Sequence, residues 1–591
     1  MKMLWQDLLL LLFFQHHLSP LQLSLPLLLH LSKKQQKLHI NRFSRVINIF
    51  IGENVLFFRL VMGWMIVTSH GKKVKLTKGK SLLKHIQELG VHINASCGGQ
   101  GICRGCLVKV DGTESLSPMT EAEKKAIRSP GYRLACQAIV VRDDLDIYVE
   151  VPKYVKILEK GKRKEVPLNP IVKRRATPLG EKVFWGDVEI APYEGELYGL
   201  ALDIGTTTVA MRWINLESGE EVFSLSMLNP QIDYGDNVID RINYARSVGQ
   251  EPLEKAIRNS INEMVQKGPI NPNHIYEMVV VGNTTMRDIF VGHPVKGLGE
   301  APYEPVSLDS VNKKAEELGI TINPKANVYA LPLIGHFVGA DTLAVILATE
   351  MHKSSEVTMA IDIGTNTEIA IGNKDKIIVA SCASGPAFEG AGVKCGVGAV
   401  IGAIQKVKID SNLKVKYETI GNAPPIGICG SGLIDALAQM LEKGIMDYAG
   451  KLSSGGEFVL AEDGKRIFLD GEDIDNLKLA KAAICAGSKI LMRHYGVTVD
   501  DIKRLYLAGA FGTYINPENA LKIGMLPEIP LERIEKVGNA AIEGATEVLV
   551  SEEKRREVEE ISKKIGHVRL ELEEDFHSLF VESLAFEVCR R

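Results

Sequence analysis

A short phrase that occurs twice constrains the fold more than any other feature of the sequence. Leu202-Asp-Ile-Gly-Thr-Thr-Thr208 and Ile361-Asp-Ile-Gly-Thr-Asn-Thr367 each follow an apolar run that is short enough for a buried strand. In each copy the glycine lets the backbone approach a ligand, and successive N–H groups with neighbouring hydroxyls can hold phosphate oxygens as a nest. Two such turns at a domain-sized separation predict two related α/β lobes that face each other across a nucleotide.

Each phrase also places a carboxylate at the end of its strand. Asp203 and Asp362 would lie within reach of the Mg²⁺ ion that accompanies nucleotide phosphates. Three glycine-rich stretches follow later: Ser384–Gly390, Gly427–Gly432 and Ala508–Gly512. Any one of them is equally well an ordinary tight turn, but together they are typical of the lining of a cleft. The candidate nucleotide-binding residues in these turns and stretches are Gly205, Thr206, Thr207, Gly364, Thr365, Asn366, Gly430, Ser431, Gly432, Gly509, Ala510 and Phe511.

Four cysteines cluster in one region of the sequence. Cys97, Cys103 and Cys106 follow a C-x5-C-x2-C pattern with glycines between them, and Cys136 follows alone. Four thiolates are the ligand set of a 2Fe–2S cluster, and a glycine-rich loop lets the backbone curl round it. Zinc is the alternative metal, although structural zinc sites prefer paired C-x2-C knuckles and this region has one such pair. Four unrelated buried cysteines are the remaining interpretation.

Composition limits the class of protein. A chain of 591 residues exceeds a single ordinary core, so several domains are expected. The formal charge of −3 gives no electrostatic reason to expect a nucleic-acid partner. Nine cysteines, four of them in one region, favour metal ligation in a reducing compartment over a disulfide framework, and we expect a cytoplasmic protein. The cysteines without ligand spacing are interpreted as core thiols: Cys382, Cys395, Cys429, Cys485 and Cys589.

Two segments do not share the composition of the rest. Residues 1–64 carry a Leu-rich patch that is too short to span a membrane. We interpret them as an extension added by an early start codon, with true initiation at Met62 or Met65; a signal peptide or membrane anchor is the alternative. Residues 152–196 are proline-rich and contain the basic run 160–164, which predicts an extended linker whose run is either a solvated face or a docking segment for an acidic partner. The predicted domains are therefore 65–151, 197–355 and 356–591, with the linker at 152–196.

The paired phosphate turns resemble those of the superfamily of acetate and sugar kinases, heat-shock chaperones and actin. The resemblance implies an adenosine motif at Ala508–Gly512 and a nucleotide held without a Walker loop, whose G-x-x-x-x-G-K-[ST] pattern the sequence lacks. It also implies an acidic or amide residue, upstream of the second turn, that positions the attacking water. Asp341 is the candidate for that role. Its other interpretation is the N-cap of a helix from Thr342, and the two roles are compatible.

Residues 65–151 resemble plant- and adrenodoxin-type ferredoxins, with the adrenodoxin-like cysteine spacing, which implies a β-grasp fold. The fold class expected for the whole chain is multidomain α/β: a ferredoxin-type α+β domain, a linker, and a two-lobed actin-like ATPase of duplicated lobes. This combination resembles the reductive activators of corrinoid-dependent proteins over about residues 65–591. The resemblance includes Asn229–Gln231 and Gly282–Thr285.

The family resemblance implies a function. Members use ATP to drive the transfer of one electron from a 2Fe–2S cluster to Co(II) corrinoid on a partner, which restores Co(I). The partners implied are a corrinoid protein or corrinoid-dependent methyltransferase and an upstream low-potential electron donor, with no nucleic acid and no membrane. A homodimer stays open, because a small dimerisation domain that the family often has is not expected in the short linker. The alternatives are an activator of a radical dehydratase, a redox-sensing kinase or chaperone, and a ferredoxin on a filament-forming scaffold.

Overall fold

The computed structural model describes most of the chain, with gaps that fall mainly in its first quarter. It describes residues 47–51, 54–58, 63–68, 71–89, 91, 93, 106–126, 131–150, 166–235, 237–390, 392–462 and 466–590. The first elements are a hairpin of β1 (Ile47–Ile51) and β2 (Asn54–Phe58), inside the segment that we interpreted as an added extension. That interpretation stays a prediction. Within the described ranges, no helix combines the length and apolar character needed to cross a bilayer.

The ferredoxin-type domain is a five-stranded sheet in the order β4-β3-β7-β5-β6. Strand β3 pairs parallel with β7, and the other neighbours are antiparallel, which is the arrangement predicted for a β-grasp fold. Ser81 caps the first helix by accepting from the Lys84 backbone N–H, as expected for a serine at a helix start. The elements are β3 (Trp64–Val67), β4 (Lys72–Lys75), α1 (Leu82–Glu88), β5 (Leu107–Asp111), α2 (Glu121–Ala126), β6 (Tyr132–Leu134) and β7 (Ile147–Glu150).

The interpretation of residues 152–196 as an extended linker is wrong for much of the segment. An antiparallel sheet of three strands, here called the meander, occupies β8 (Val172–Thr177), β9 (Gly180–Trp185) and β10 (Val188–Pro192). Val172, Val183 and Ile190 lie on one face and are buried in the core between the two lobes. These apolar residues give the sheet a reason to pack, which the prolines and basic residues obscured in the sequence. Residues 152–165 of the predicted linker lie outside the described residues.

The first lobe is built on a six-stranded sheet in the order β13-β12-β11-β14-β16-β15. Strands β11 and β12 form a hairpin whose turn is the first phosphate phrase. Strand β14 pairs with the other edge of β11 and runs parallel to it. The strands are β11 (Tyr198–Ile204), β12 (Thr208–Asn215), β13 (Glu221–Leu228), β14 (Ile275–Gly282), β15 (Val311–Lys314) and β16 (Asn327–Ala330). The helices are α3 (Val238–Ser247), α4 (Glu251–Lys267), α5 (Thr284–Val291), α6 (Ala315–Leu318) and α7 (Ala340–Thr349).

The second lobe repeats this topology. Its sheet has the order β26-β25-β17-β18-β19-β27, so the β17–β18 hairpin corresponds to β11–β12 and the parallel strand β25 corresponds to β14. The strands are β17 (Thr358–Ile363), β18 (Thr367–Gly372), β19 (Ile377–Cys382), β20 (Ala403–Ile409), β21 (Val415–Thr419), β22 (Gly427–Ile428), β23 (Glu457–Ala461), β24 (Ile467–Asp470), β25 (Arg504–Ala508), β26 (Ile534–Gly538) and β27 (Ile565–His567). The helices are α8 (Gly430–Glu442), α9 (Gly471–Tyr495), α10 (Gly509–Tyr514), α11 (Pro517–Lys522), α12 (Ala540–Val550), α13 (Glu552–Ser562) and α14 (Phe576–Glu582). The duplicated α/β lobes and the ferredoxin-type domain confirm the predicted fold class.

The two lobes share a core that the sequence boundary at residue 355 does not separate. Helices α7 and α12 pack on each other, and α12 also packs on β11 and β14 of the first lobe. The chain therefore returns from the second lobe to the first after β26. The meander joins the same place, because Asn169 N–H donates to Val550 O and Asn169 O accepts from Glu552 N–H, both at 2.8 Å.

A buried ion pair ties the meander to this shared core. Glu277 on β14 is fully buried and accepts from Arg555 Nη2 at 2.6 Å and from Trp185 Nε1 at 3.1 Å. We expect Arg555→Met to lower the free energy of unfolding by about 3–5 kcal/mol, because it leaves the Glu277 carboxylate buried without its cation. Urea denaturation followed by tryptophan fluorescence measures the change.

The next residue supplies a matched control for this substitution. The Arg556 side chain is 66% exposed, so Arg556→Met should change the free energy of unfolding by less than about 0.5 kcal/mol. Equal denaturation midpoints for the two variants would contradict the stabilising role of the buried pair.

The C-terminal segment is joined to α9 by a disulfide. Cys485 and Cys589, 104 residues apart in sequence, form this bond, so the interpretation of both as core thiols is wrong. The sequence could not show it, because the pairing depends on the last residues returning to α9. Their backbone is also held by Glu528, whose N–H donates to Cys589 O at 3.0 Å. The cysteines that are buried as free thiols, as interpreted, are Cys382, Cys395 and Cys429.

Candidate nucleotide cleft and cluster site

The first phosphate turn is held from behind by a polar network. Asn229 Nδ2 donates to Gly205 O and its backbone N–H donates to Thr207 O, both at 2.8 Å, while Arg241 Nη2 donates to Thr206 O at 2.7 Å. All three carbonyls of the turn are therefore occupied by buried side-chain or backbone donors from one side. Asn283 Nδ2 donates to Thr206 Oγ1 at 3.0 Å, which leaves the proton of that hydroxyl available to a ligand.

The second turn is held in a corresponding way by a different loop. Ser384 Oγ donates to Gly364 O at 3.2 Å, and Gly385 N–H donates to Thr365 O at 2.9 Å. Asn366 belongs to the same turn, and its carbonyl oxygen lies close to Gly364: a Cβ on Gly364 would lie 3.1 Å from Asn366 O. The loop Ser384–Gly390, which the sequence analysis placed in the cleft lining, thus supports the second turn directly.

The two turns touch each other. Thr207 Oγ1 of the first lobe and Thr365 Oγ1 of the second are 3.1 Å apart, which is a hydrogen-bond distance. Thr365 Oγ1 also donates to Glu389 Oε1 at 2.9 Å. The structure therefore brings the predicted phosphate turns together at one point between the lobes.

Four carboxyl groups lie near this point and act on one another. Burial raises the pKa of Asp203 to about 6, and burial together with the charge of Asp203 raises the pKa of Asp341 to about 7. Burial, with the charges of Asp341 and Asp362, raises the pKa of Glu368 well above its usual value. Glu368 faces Asp362 across the β17–β18 ladder and accepts from Ser381 Oγ at 3.1 Å. Mutual repulsion of this kind is relieved when a cation is bound.

Asp341 lies in the first turn of α7, and that helix begins earlier than the N-cap interpretation requires. Helix α7 starts at Ala340 with Gly339 as the N-cap, so the interpretation of Asp341 as the N-cap is wrong. Its Oδ1 accepts from the Thr342 backbone N–H at 2.7 Å. Its assignment to the attacking water stays a prediction.

The residues present fit a magnesium ion that is bound jointly with phosphate. Among the described residues, no group of three or more His, Cys, Asp or Glu side chains converges to hold a metal by itself. Mg²⁺ usually binds through one or two carboxylates together with substrate phosphates and waters. Asp203 and Asp362, each at the end of the strand before a phosphate turn, are the residues that would hold it.

The predicted adenosine motif begins a helix instead of forming a loop. Gly509 is the first residue of α10 and has φ +85°, and a Cβ there would lie 2.5 Å from Asp362 Oδ1. Only glycine combines this left-handed backbone with such a close approach to a carboxylate. Phe511 stacks on Phe388 with ring centroids 5.8 Å apart. Ala510, also predicted, follows Gly509 in the same helix.

The glycines at the start of α8 have a packing role. A Cβ on Gly430 would lie 1.9 Å from Phe388 O, and one on Gly432 would lie 2.3 Å from Ile404 O. Ser431 Oγ donates to Gln405 O at 2.9 Å. The helix therefore approaches the neighbouring backbone too closely for any side chain at these two positions, and a nucleotide contact from them stays a prediction.

Three functional candidates were missed from the sequence. Glu368 lies just after the second turn, and it faces Asp362 because the two strands of a tight hairpin pair residue by residue. That pairing could have identified Glu368 from the sequence. Glu389 lies inside a loop that the sequence analysis singled out, but no pattern in the sequence shows which way its carboxylate points. Asn539, which donates to Asp203 Oδ2 at 2.9 Å, comes from α12 and is brought there only by the return of the chain to the first lobe.

The described cluster cysteines lie side by side at one end of the β5–β6 pair. Cys106 immediately precedes β5, and Ala135 N–H donates to Cys106 O at 2.8 Å, which places Cys136 next to it. Both are buried, and their thiols come from adjacent backbone segments, as the ligands of one 2Fe–2S cluster do. Cys97 and Cys103 lie outside the described residues.

The fold and these two sites define a class of protein: a two-lobed actin-like ATPase joined to a 2Fe–2S ferredoxin-type domain. Family models match the same three parts of the chain. The model of the 2Fe-2S iron-sulfur cluster binding domain matches residues 67–141, that of the RACo middle region residues 198–354, and that of the C-terminal ASKHA domain of RACo residues 356–590.

Individual relatives agree with these matches. The chain is 33% identical to the corrinoid activation enzyme RamQ of Eubacterium limosum, over 84% of this chain and 95% of that protein. It is 28% identical to the [Co(II) methylated amine-specific corrinoid protein] reductase of Methanosarcina barkeri, over 66% of this chain and 77% of that one. A solved reductive activator for a corrinoid, iron–sulfur protein superposes with a TM-score of 0.66 at 31% identity, covering 89% of this chain and 98% of that one. The chain therefore belongs to the family of corrinoid activation enzymes.

Proposed function

We propose that this chain uses ATP hydrolysis to drive the transfer of one electron from a 2Fe–2S cluster to Co(II) corrinoid on a partner protein, which restores Co(I). The observation that carries the proposal is the presence, on one chain, of a paired-thiol site in a ferredoxin fold and of two phosphate turns that meet at Thr207 and Thr365. An electron carrier needs an ATPase only where the transfer is uphill or must be gated. Relatives named for corrinoid activation identify the acceptor class.

The residues of the chain divide this work between two separate sites. Cys97, Cys103, Cys106 and Cys136 would hold the cluster, which supplies a one-electron carrier when bound. Asp203 and Asp362 would hold Mg²⁺ with the nucleotide phosphates, and Thr206, Thr207 and Thr365 would donate hydroxyl hydrogen bonds to those phosphates. The sites belong to different hydrophobic cores, so each can be disabled without unfolding the other.

The chain segment that leads from the ferredoxin-type domain into the ATPase lobes is held at the helices between the lobes. Residues 151–165 connect the ferredoxin-type domain to the next segment, in which Val166 packs against the core between the lobes and Asn169 is hydrogen-bonded at the junction of α12 and α13. Nucleotide binding that shifts one lobe against the other would move α12, and with it this anchor point. ATP then acts by favouring one arrangement of electron donor and acceptor over another.

Several finer features belong to the same proposal. Mg²⁺ as the ion, an upstream low-potential electron donor and a cytoplasmic location are part of it, whereas a homodimer stays open, as in the sequence analysis. Asp341, Gly205, Gly364, Asn366 and the start of α10 complete the proposed nucleotide site.

An anaerobic activation assay tests the function. A corrinoid protein oxidised to Co(II) is mixed with this protein, MgATP and a low-potential reductant, and Co(I) formation is followed by its absorption spectrum. We expect Co(I) only in the complete mixture, and none when ATP is replaced by ADP. Equal Co(I) formation with and without ATP would contradict the coupling.

A further inference from the structure

A glutamate that the proposed function does not use joins the two phosphate turns. Glu389 accepts a hydrogen bond from Thr365 Oγ1 at 2.9 Å. Thr207 Oγ1 of the other lobe lies 3.1 Å from the same Thr365 oxygen, so the carboxylate is linked to both phosphate turns through Thr365. The carboxylate therefore lies beside the point where the two turns meet.

The backbone on both sides of Glu389 is fixed by packing. Phe388 is buried and stacks on Phe511, while Gly390 has φ +88° and a Cβ on it would lie 2.7 Å from Val397 N. The carboxylate is thus carried by a short turn that cannot shift without disturbing both neighbours. Such a preorganised position is a requirement for a group that acts on a reacting atom.

Glu389 is electrostatically separate from the other carboxyl groups of the cleft. Burial and the charge of Asp203 raise the pKa of Asp341, and burial and the charges of Asp341 and Asp362 raise the pKa of Glu368. The pKa of Glu389 is also raised, by burial, but the groups that act on it are the two threonine hydroxyls, with no carboxylate among them.

We propose that Glu389 positions and deprotonates the water that attacks the γ-phosphate of ATP when the two lobes are closed. The inference rests on the proposed ATPase function and assigns to Glu389 the role that the family resemblance gave to Asp341. When phosphate oxygens take the two threonine hydroxyls, the carboxylate loses the hydrogen bond from Thr365 and accepts from the water instead. The water oxygen bonds to the γ-phosphorus, the bond from that phosphorus to the β,γ-bridging oxygen breaks, and the water proton passes to Glu389. ADP and inorganic phosphate leave, and Glu389 releases the proton to solvent.

The test compares Glu389→Gln with the wild-type protein in two measurements. Steady-state hydrolysis gives kcat and KM for ATP, and isothermal titration with the non-hydrolysable analogue AMPPNP and Mg²⁺ gives nucleotide affinity without turnover. Because Gln keeps the size and the hydrogen-bonding capacity but cannot take a proton, we expect kcat to fall by roughly 100- to 10,000-fold, with AMPPNP affinity changed by less than about threefold. Glu389→Asp should recover part of kcat.

Two further variants separate this role from its alternatives. Asp341→Asn should raise the Mg²⁺ concentration needed for half-maximal hydrolysis, as expected for a residue on the cation side. Glu418→Gln, at an exposed position on β21 of the same lobe, should match the wild-type protein in every measurement.

The outcomes that would overturn the inference are distinct from failure of the proposed function. Wild-type kcat in Glu389→Gln overturns it, and tighter AMPPNP binding with that result identifies the contact as a latch that competes with phosphate. Loss of AMPPNP binding in Glu389→Gln also overturns it, because the role would then be structural. If the wild-type protein with Mg²⁺ hydrolyses no ATP, the proposed function itself fails.

Discussion

Asp362→Asn should abolish ATP-dependent activation while leaving the fold intact. The carboxylate lies at the end of β17, against the backbone of Gly509, and its charge acts on buried Glu368. Replacing it with a neutral amide of the same size removes the carboxylate that we propose holds Mg²⁺ together with the nucleotide phosphates. We expect ATP hydrolysis and Co(I) formation to fall by at least about 100-fold, since even residues that only orient metal ligands alter activity by 10- to 100-fold.

A matched variant and an internal readout keep this prediction specific. Asp475→Asn replaces an aspartate on the same lobe whose side chain is 69% exposed, and it should retain wild-type hydrolysis. The ferredoxin-type domain of Asp362→Asn should still be reduced by dithionite, because its core is separate. Wild-type Co(I) formation by Asp362→Asn would show that ATP is irrelevant to the electron step, and the redox-sensing kinase interpretation would then be favoured.

Cys136→Ser should remove the 2Fe–2S cluster and with it all electron transfer. Cys136 and Cys106 lie side by side at the end of the β5–β6 pair, and serine is a poor ligand for iron in place of a thiolate. We expect anaerobically purified variant protein to lack the red-brown absorption and the electron paramagnetic resonance signal of a reduced 2Fe–2S centre. ATP hydrolysis should stay within about twofold of wild type, because the lobes do not share a core with this domain.

Cys395→Ser is the control for this substitution. It also replaces a buried thiol with a hydroxyl, but in the second lobe, so iron content and spectrum should be those of the wild-type protein. Bound zinc without iron in the wild-type protein after anaerobic reconstitution would contradict the cluster and favour the zinc alternative.

The sequence alone determined the duplicated lobes and the two kinds of site. The phrase that occurs twice places an aspartate, a glycine and two hydroxyl residues after an apolar run. These residue types together allow the backbone to approach a phosphate closely, and this requirement involves only residues that are adjacent in sequence. The repeated phrase therefore predicted two related α/β lobes, and the structure places the two copies at the turns of equivalent hairpins, β11–β12 and β17–β18. The cysteine spacing is local in the same sense.

The tertiary structure decided every feature that depends on chain segments far apart in sequence. Asn539 reaches Asp203, Arg555 reaches Glu277, and Cys485 pairs with Cys589 only because the chain returns to surfaces formed hundreds or about a hundred residues earlier. The meander was missed for a related reason. Its three buried residues belong to a hydrophobic cluster with residues of α12 and the first sheet, which are not their neighbours in sequence. Side-chain direction is the last of these features: whether Glu389 faces solvent or the junction of two lobes depends on the packing of Phe388 and Gly390, which no spacing of residues specifies.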